Sequence, residues 1–183
     1  MKGLAKQVAA LTLGVVAFAA PLHAQAAQFS LGGSLGIPLG DFDDGAKMGF
    51  HIIGAAGFKP ATLPVGIQVD ANFAHFATEA TDVNAQMLFG TANAVYSFKT
   101  APTSRLHPYL IGGLGVYNLK FTGDAVPDGT GSDTNLGVNA GAGFNVAAGA
   151  ASLFVEGRFH DVFTSGSSTQ FIPLTVGLRF GGK

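Results

Sequence analysis

Apolar and polar side chains alternate along most of this chain with a period of two. In Phe29 to Ile37 the odd positions Phe29, Leu31, Leu35 and Ile37 are apolar, and the even ones are Ser30, Gly32, Ser34 and Gly36. Val65 to His75 sets Val65, Ile67, Val69, Ala71 and Phe73 against Gln68, Asp70 and Asn72. Met48 to Phe58, Leu88 to Phe98, Leu136 to Val146, Leu153 to Phe163 and Ile172 to Phe180 repeat the pattern. Tyr109 to Phe121, with Gly112, Gly113 and Gly115, adds an eighth segment whose faces the pattern does not assign. Successive side chains of a strand point to opposite faces, so this alternation predicts strands with one apolar and one polar side. Most segments run to about ten residues, which is longer than the usual strand of about five or six. It is near the length of about 9–11 that a tilted strand needs to cross a bilayer.

The links between segments also alternate in character. Leu39–Lys47, Ala77–Asn84, Thr122–Asp133 and Thr164–Gln170 are rich in Gly, Asp, Ser and Thr, and the intervening Lys59–Leu63, Thr100–His107 and Ala147–Ala151 read as turns. Short turns on one rim and longer polar loops on the other are expected of an outer-membrane barrel. Charge sorts the same way. Asp41, Asp43, Asp44, Glu79, Asp82, Asp124, Asp128 and Asp133 belong to the loops, opposed there mainly by Lys47, whereas Lys59, Lys99, Arg105 and Lys183 belong to the other rim.

Composition narrows the class. The chain has 183 residues with 48% hydrophobic, 11% charged, a formal net charge of −1 and no cysteine. A soluble domain carries about 25% charged residues. The absence of cysteine excludes disulfides and thiol chemistry, and near-neutrality argues against a nucleic-acid partner. The polar faces hold mostly Gly, Ser, Asn, Thr and Gln instead of the Lys and Glu of a water-facing sheet. Small residues suit the narrow interior of an eight-stranded barrel, so the apolar faces are expected to look outward into lipid. A soluble periplasmic carrier of lipocalin type, with the faces reversed, is the alternative.

At the N-terminus, Lys2 and Lys6, the uncharged run Val8 to Ala20 and the small-x-small triplet Ala24-Gln25-Ala26 read as a secretory signal peptide over residues 1–26. The remainder, 27–183, is expected to be one exported barrel domain with no further domain and no lipid anchor.

Three stretches carry a family resemblance: Ile37-Pro38-Leu39-Gly40-Asp41-Phe42, His107-Pro108-Tyr109-Leu110-Ile111-Gly112-Gly113-Leu114-Gly115 and Pro173-Leu174-Thr175-Val176-Gly177-Leu178-Arg179-Phe180. With them the chain resembles the small eight-stranded outer-membrane β-barrel proteins, similar to the transmembrane domain of outer membrane protein A and its porin-like relatives. The resemblance implies an all-β, antiparallel, up-and-down transmembrane barrel in the outer membrane, monomeric and surrounded by lipid. It also implies that the aromatic Phe180 near the end of the last strand is read by the barrel-assembly machinery.

Candidate chemistry is sparse. Asp70, Glu156, Arg158 and Arg179 lie on polar faces and are expected to form an interior ion-pair network, either a static plug or a gate that swaps partners, because buried charges must be paired. Asp41, Asp43 and Asp44 form an acidic outer loop, a solvated turn or a weak site for a hard cation. His160 shares a face with Glu156 and precedes Ser165, Ser167 and Ser168, a set that would permit an acyl hydrolase acting on lipid A. His51, His75 and His107 lack metal-ligand spacing, and no cofactor motif is present. Tyr96, Tyr109 and Phe180 towards one rim, with Phe50, Phe73 and Phe76 towards the other, are read as interface girdles. The function expected is structural or surface-binding, through the loops, with at most a very narrow pore.

Overall fold

A computed structural model describes residues 27–60, 63–127, 129–164 and 167–181. Eight strands form: β1 (Gln28–Leu39), β2 (Ala46–Phe58), β3 (Gly66–Thr78), β4 (Asn84–Ser97), β5 (Leu106–Thr122), β6 (Asp133–Ala148), β7 (Ala151–Thr164) and β8 (Ser167–Gly181). Each pairs antiparallel with its sequence neighbour, and β1 pairs with β8 to close the barrel. Closure leaves no strand edge, which is one of the two ways a backbone can satisfy its polar groups in lipid. Among the described residues no helix is long and apolar enough to cross a membrane.

The register fixes the barrel's shape. From Leu35 through Phe50, His75 and Gln86 the pairing arrives at Lys120 on β5. In the other direction, through Leu174, Gly157 and Ala142, it arrives at Leu110. The two arrivals differ by ten residues (120 − 110), a shear of ten over eight strands. That stagger tilts the strands by about 40° and leaves an interior just wide enough for side chains.

The apolar faces look outward. Leu31, Leu114, Leu136 and Leu174 are all more than half exposed, while Asp70, Asn72, Asn93, Thr175 and Arg179 are buried inside. This excludes the soluble carrier, whose apolar faces would meet in the interior. The unassigned strand resolves as well: Tyr109, Ile111, Gly115 and Tyr117 are buried in the lumen, and Leu110, Leu114 and Val116 face out.

Two expectations fail. Strands of 12 to 17 residues absorb much of the expected loops, so the links no longer alternate short and long: 79–83 is shorter than 59–65 and 98–105 on the turn rim. Tyr109 and Phe76 are not girdle residues but are buried in the lumen. Phe76 lies an even number of positions from Asp70 and Asn72, so it shares their inward face. Tyr96, Phe180, Phe50 and Phe73 do face outward.

The export signal read over 1–26 lies outside the described residues, as do Asp128, Ser165 and Lys183.

Candidate functional site in the filled lumen

The lumen has two tiers. The one nearer the turn rim is polar and centres on Asp70 of β3. Its Oδ1 accepts from Gln68 Nε2 at 2.8 Å, and its Oδ2 accepts from Thr91 Oγ1 at 2.9 Å and Asn93 Nδ2 at 3.0 Å. Arg158 on β7 donates to the same Oδ2 through Nη1 and to Glu156 Oε1 through Nε and Nη2. Tyr109 donates its hydroxyl to Glu156 Oε2 at 2.9 Å. One guanidinium therefore bridges two carboxylates, and further donors saturate both acids. This is the arrangement that makes buried charge tolerable.

Arg179 departs from the expected network, since it makes no ion pair among the described residues. It donates from Nε to Ser30 at 3.0 Å, from Nη1 to Asn145 at 2.9 Å and from Nη2 to Gln68 at 3.4 Å. Its guanidinium carbon lies 5.2 Å from the Tyr109 ring centroid and 5.0 Å from that of Phe154, so two ring faces share the charge. Gln68 links it to Asp70 at second hand. The register sets Arg179 opposite Ser30 and Ser152, away from either acid. Below this tier a cavity of about 220 Å³ opens among the turn-side ends of β1 to β4, lined by Gln28, Lys59, Gln68 and Ser97.

The second tier, towards the loop rim, is aromatic, and the sequence pattern alone did not expose it. Phe89 stacks on Tyr117 at 4.8 Å and on His51 at 5.3 Å. His160 stacks on Phe171 at 4.8 Å and is edge-on to Phe89. Phe171 meets Phe76 edge to face, and Phe76 meets Phe42 from the 3₁₀ turn Gly40–Phe42 at 5.1 Å. A continuous chain of rings thus runs from the first loop to mid-lumen, with Ala46, Ala74, Ala85, Met87 and Val162 filled in around it. The signal for it lay in strand parity, because Phe89 alternates in step with Thr91 and Asn93, and Phe171 with Thr175 and Arg179.

Glycines seat these rings against the wall. A Cβ on Gly36 would meet the Phe76 ring, one on Gly115 the Tyr117 ring, and one on Gly177 the Phe154 ring. At these three positions the glycine permits close approach of backbone to an aromatic face.

Among the described side chains the remaining candidates are not assembled into sites, and the side chain of Ser167 lies outside them. His160 is buried with its Nδ1 hydrogen-bonded to the Tyr117 hydroxyl at 2.8 Å. Ser168 pairs with the outward-facing Phe163 and so lies on the other face of the wall. Asp41, Asp43 and Asp44 are exposed around the first loop, and no group of three or more His, Cys, Asp or Glu able to hold a metal occurs among the described residues. Phe180 faces outward at the turn rim between Phe29 and Ala151.

A closed eight-stranded barrel with lipid-facing aliphatic side chains and a filled interior defines a class, the small integral outer-membrane barrels. The family model of the outer membrane protein beta-barrel domain matches residues 8–180, and the chain belongs to that family. It resides in the outer membrane. No curated protein matches it. Among solved structures, Neisserial surface protein A is similar at 16% identity with a TM-score of 0.65, over 85% of this chain and 97% of that one. Ail, the attachment invasion locus protein of Yersinia pestis, is 15% identical with a TM-score of 0.50, over 85% and 99%. The outer membrane enzyme PagL is 19% identical with a TM-score of 0.51, over 82% and 98%. At these identities the likeness is one of fold.

Proposed function

We propose that this barrel is a non-enzymatic, monomeric envelope protein with a structural or surface-binding role and at most a very narrow pore. The observation that carries this reading is the ring chain from Phe42 to Phe89, which fills the loop-side lumen where a channel would open. The inward aim of His160, whose Nδ1 is hydrogen-bonded to Tyr117, speaks against an acyl hydrolase acting on lipid at the outer wall. The exposed carboxylates Asp41, Asp43, Asp44, Glu79, Asp82 and Asp124 make the loop rim the surface for any external ligand, while the opposite rim faces the periplasm. Residues 1–26 direct export and are removed. Phe180 is the aromatic cue for the barrel-assembly machinery.

Planar-bilayer recording tests the central part. No stable conductance above leak is expected from the folded barrel, and reproducible unitary steps would contradict the reading. Release of a fatty acid from lipid A, lost in His160→Ala, would overturn the non-enzymatic assignment.

A further inference from the structure

The outward face of the barrel is not uniform at its loop-side margin. On three adjacent strands the apolar band gives way at the same register to side chains that donate hydrogen bonds. Along β3 the outward residue after Phe73 is His75, along β4 the one before Leu88 is Gln86, and along β5 Val116 is followed by Asn118 and then Lys120. His75 pairs directly with Gln86, and Gln86 directly with Lys120. Side chains opposite one another on the same face of a sheet lie about 5 Å apart at Cβ, so the three form one continuous row. The His75 ring is held at the wall by stacking on Phe50 at 5.3 Å.

Lys120 has no ion-pair partner among the described residues, whereas Lys47 on the same rim is held by Glu79 at 3.5 Å. Next to Lys120 lies a cavity of about 160 Å³ lined by Lys120, Thr122, Gly129 and Thr130. An ammonium without an ion-pair partner among the described residues, an amide and an imidazole thus line up at the margin of the apolar band, beside a pocket edged by hydroxyl groups. On β7 and β8 the outward polar pair is instead Asp161 accepting from Gln170 at 3.4 Å.

We propose that the row His75–Gln86–Lys120 is a docking site for the phosphorylated headgroup of an outer-leaflet lipid. The complementarity is of charge and height together. A phosphate anchored to acyl chains is presented at the margin of the apolar band, where an ammonium near a membrane surface attracts anionic lipid. The acyl chains then lie on Phe73, Leu88 and Val116 below.

The test uses the folded barrel reconstituted with bisphosphorylated lipid A, exchanged into mild detergent and examined by native mass spectrometry for retained lipid. Dephosphorylated lipid A and excess inorganic phosphate provide the comparison arms. The wild-type chain is expected to retain the bisphosphorylated lipid, to retain the dephosphorylated one poorly and to resist displacement by inorganic phosphate. Lys120→Ala is expected to lower retention about fivefold, the effect of one lysine near a membrane surface. Lys120→Arg should preserve it and Asp161→Asn should leave it unchanged, with heat-modifiable gel migration verifying that each variant is folded. Equal retention of both lipids, or full retention by a folded Lys120→Ala, overturns the proposal. Displacement by inorganic phosphate also overturns it, in favour of a free-anion site.

Discussion

Arg158 on β7 reaches across the lumen to Asp70 on β3, and these strands stand opposite one another in the ring of eight. With Glu156 held by the same guanidinium, the side chain acts as a strut between facing walls. Arg158→Met leaves two carboxylates buried without their cation, at a cost of about 3–5 kcal/mol. The urea midpoint of bilayer-embedded barrel should fall accordingly. Adding Asp70→Asn and Glu156→Gln should recover most of the loss.

Phe89 touches His51, Tyr117, His160 and Phe171 at once. Phe89→Ala removes the member on which the ring chain converges, and truncation of a buried phenylalanine costs about 3–5 kcal/mol. Equilibrium unfolding should report that loss, and the same variant in planar bilayers is the first in which conductance should rise.

Gly36 has only the Phe76 ring in close range of a Cβ. Gly36→Val should therefore destabilise the barrel by about 1–3 kcal/mol through overpacking. Phe76→Leu in the same chain should restore stability by withdrawing the ring. A double-mutant cycle on unfolding free energies checks the coupling.

On the outer wall the depth of a charge matters. Leu174→Arg lies in the apolar band and should cost about 2–4 kcal/mol, whereas Leu106→Arg at the turn rim should cost about 0–1 kcal/mol. Both residues are about half exposed, so a difference in their refolding equilibria into vesicles reports the bilayer and not burial within the protein.

The strands and their facing were legible because one side of each segment is unlike the other. Val65 to His75 needed no tertiary knowledge, since its apolar and polar residues fall on opposite parities. Tyr109 to Phe121 resisted because both of its sides are apolar: Ile111 and Tyr117 fill the lumen while Leu114 and Val116 meet lipid. The aromatic tier was hidden for a related reason, because Phe76 and Phe171 share a side with Asp70 and Arg179, and that side read as polar. Parity also put Arg179 on the correct side, but its partners depend on the register between strands, which no single segment encodes. Strand ends are not marked in the pattern because the polar residues beyond the apolar band still pair, as Asn84 does with Thr122.

Aliphatic side chains facing hydrocarbon around a filled centre define this barrel. The chain has no cysteine, so single cysteines report facing without background. In bilayers, Leu114→Cys, Leu136→Cys and Leu174→Cys should react with a lipid-partitioning maleimide, while Thr91→Cys, Asn139→Cys and Thr175→Cys should stay protected until the barrel is unfolded. Reaction at the second set with protection of the first would contradict the outward facing on which the fold, the membrane location and the headgroup site all depend.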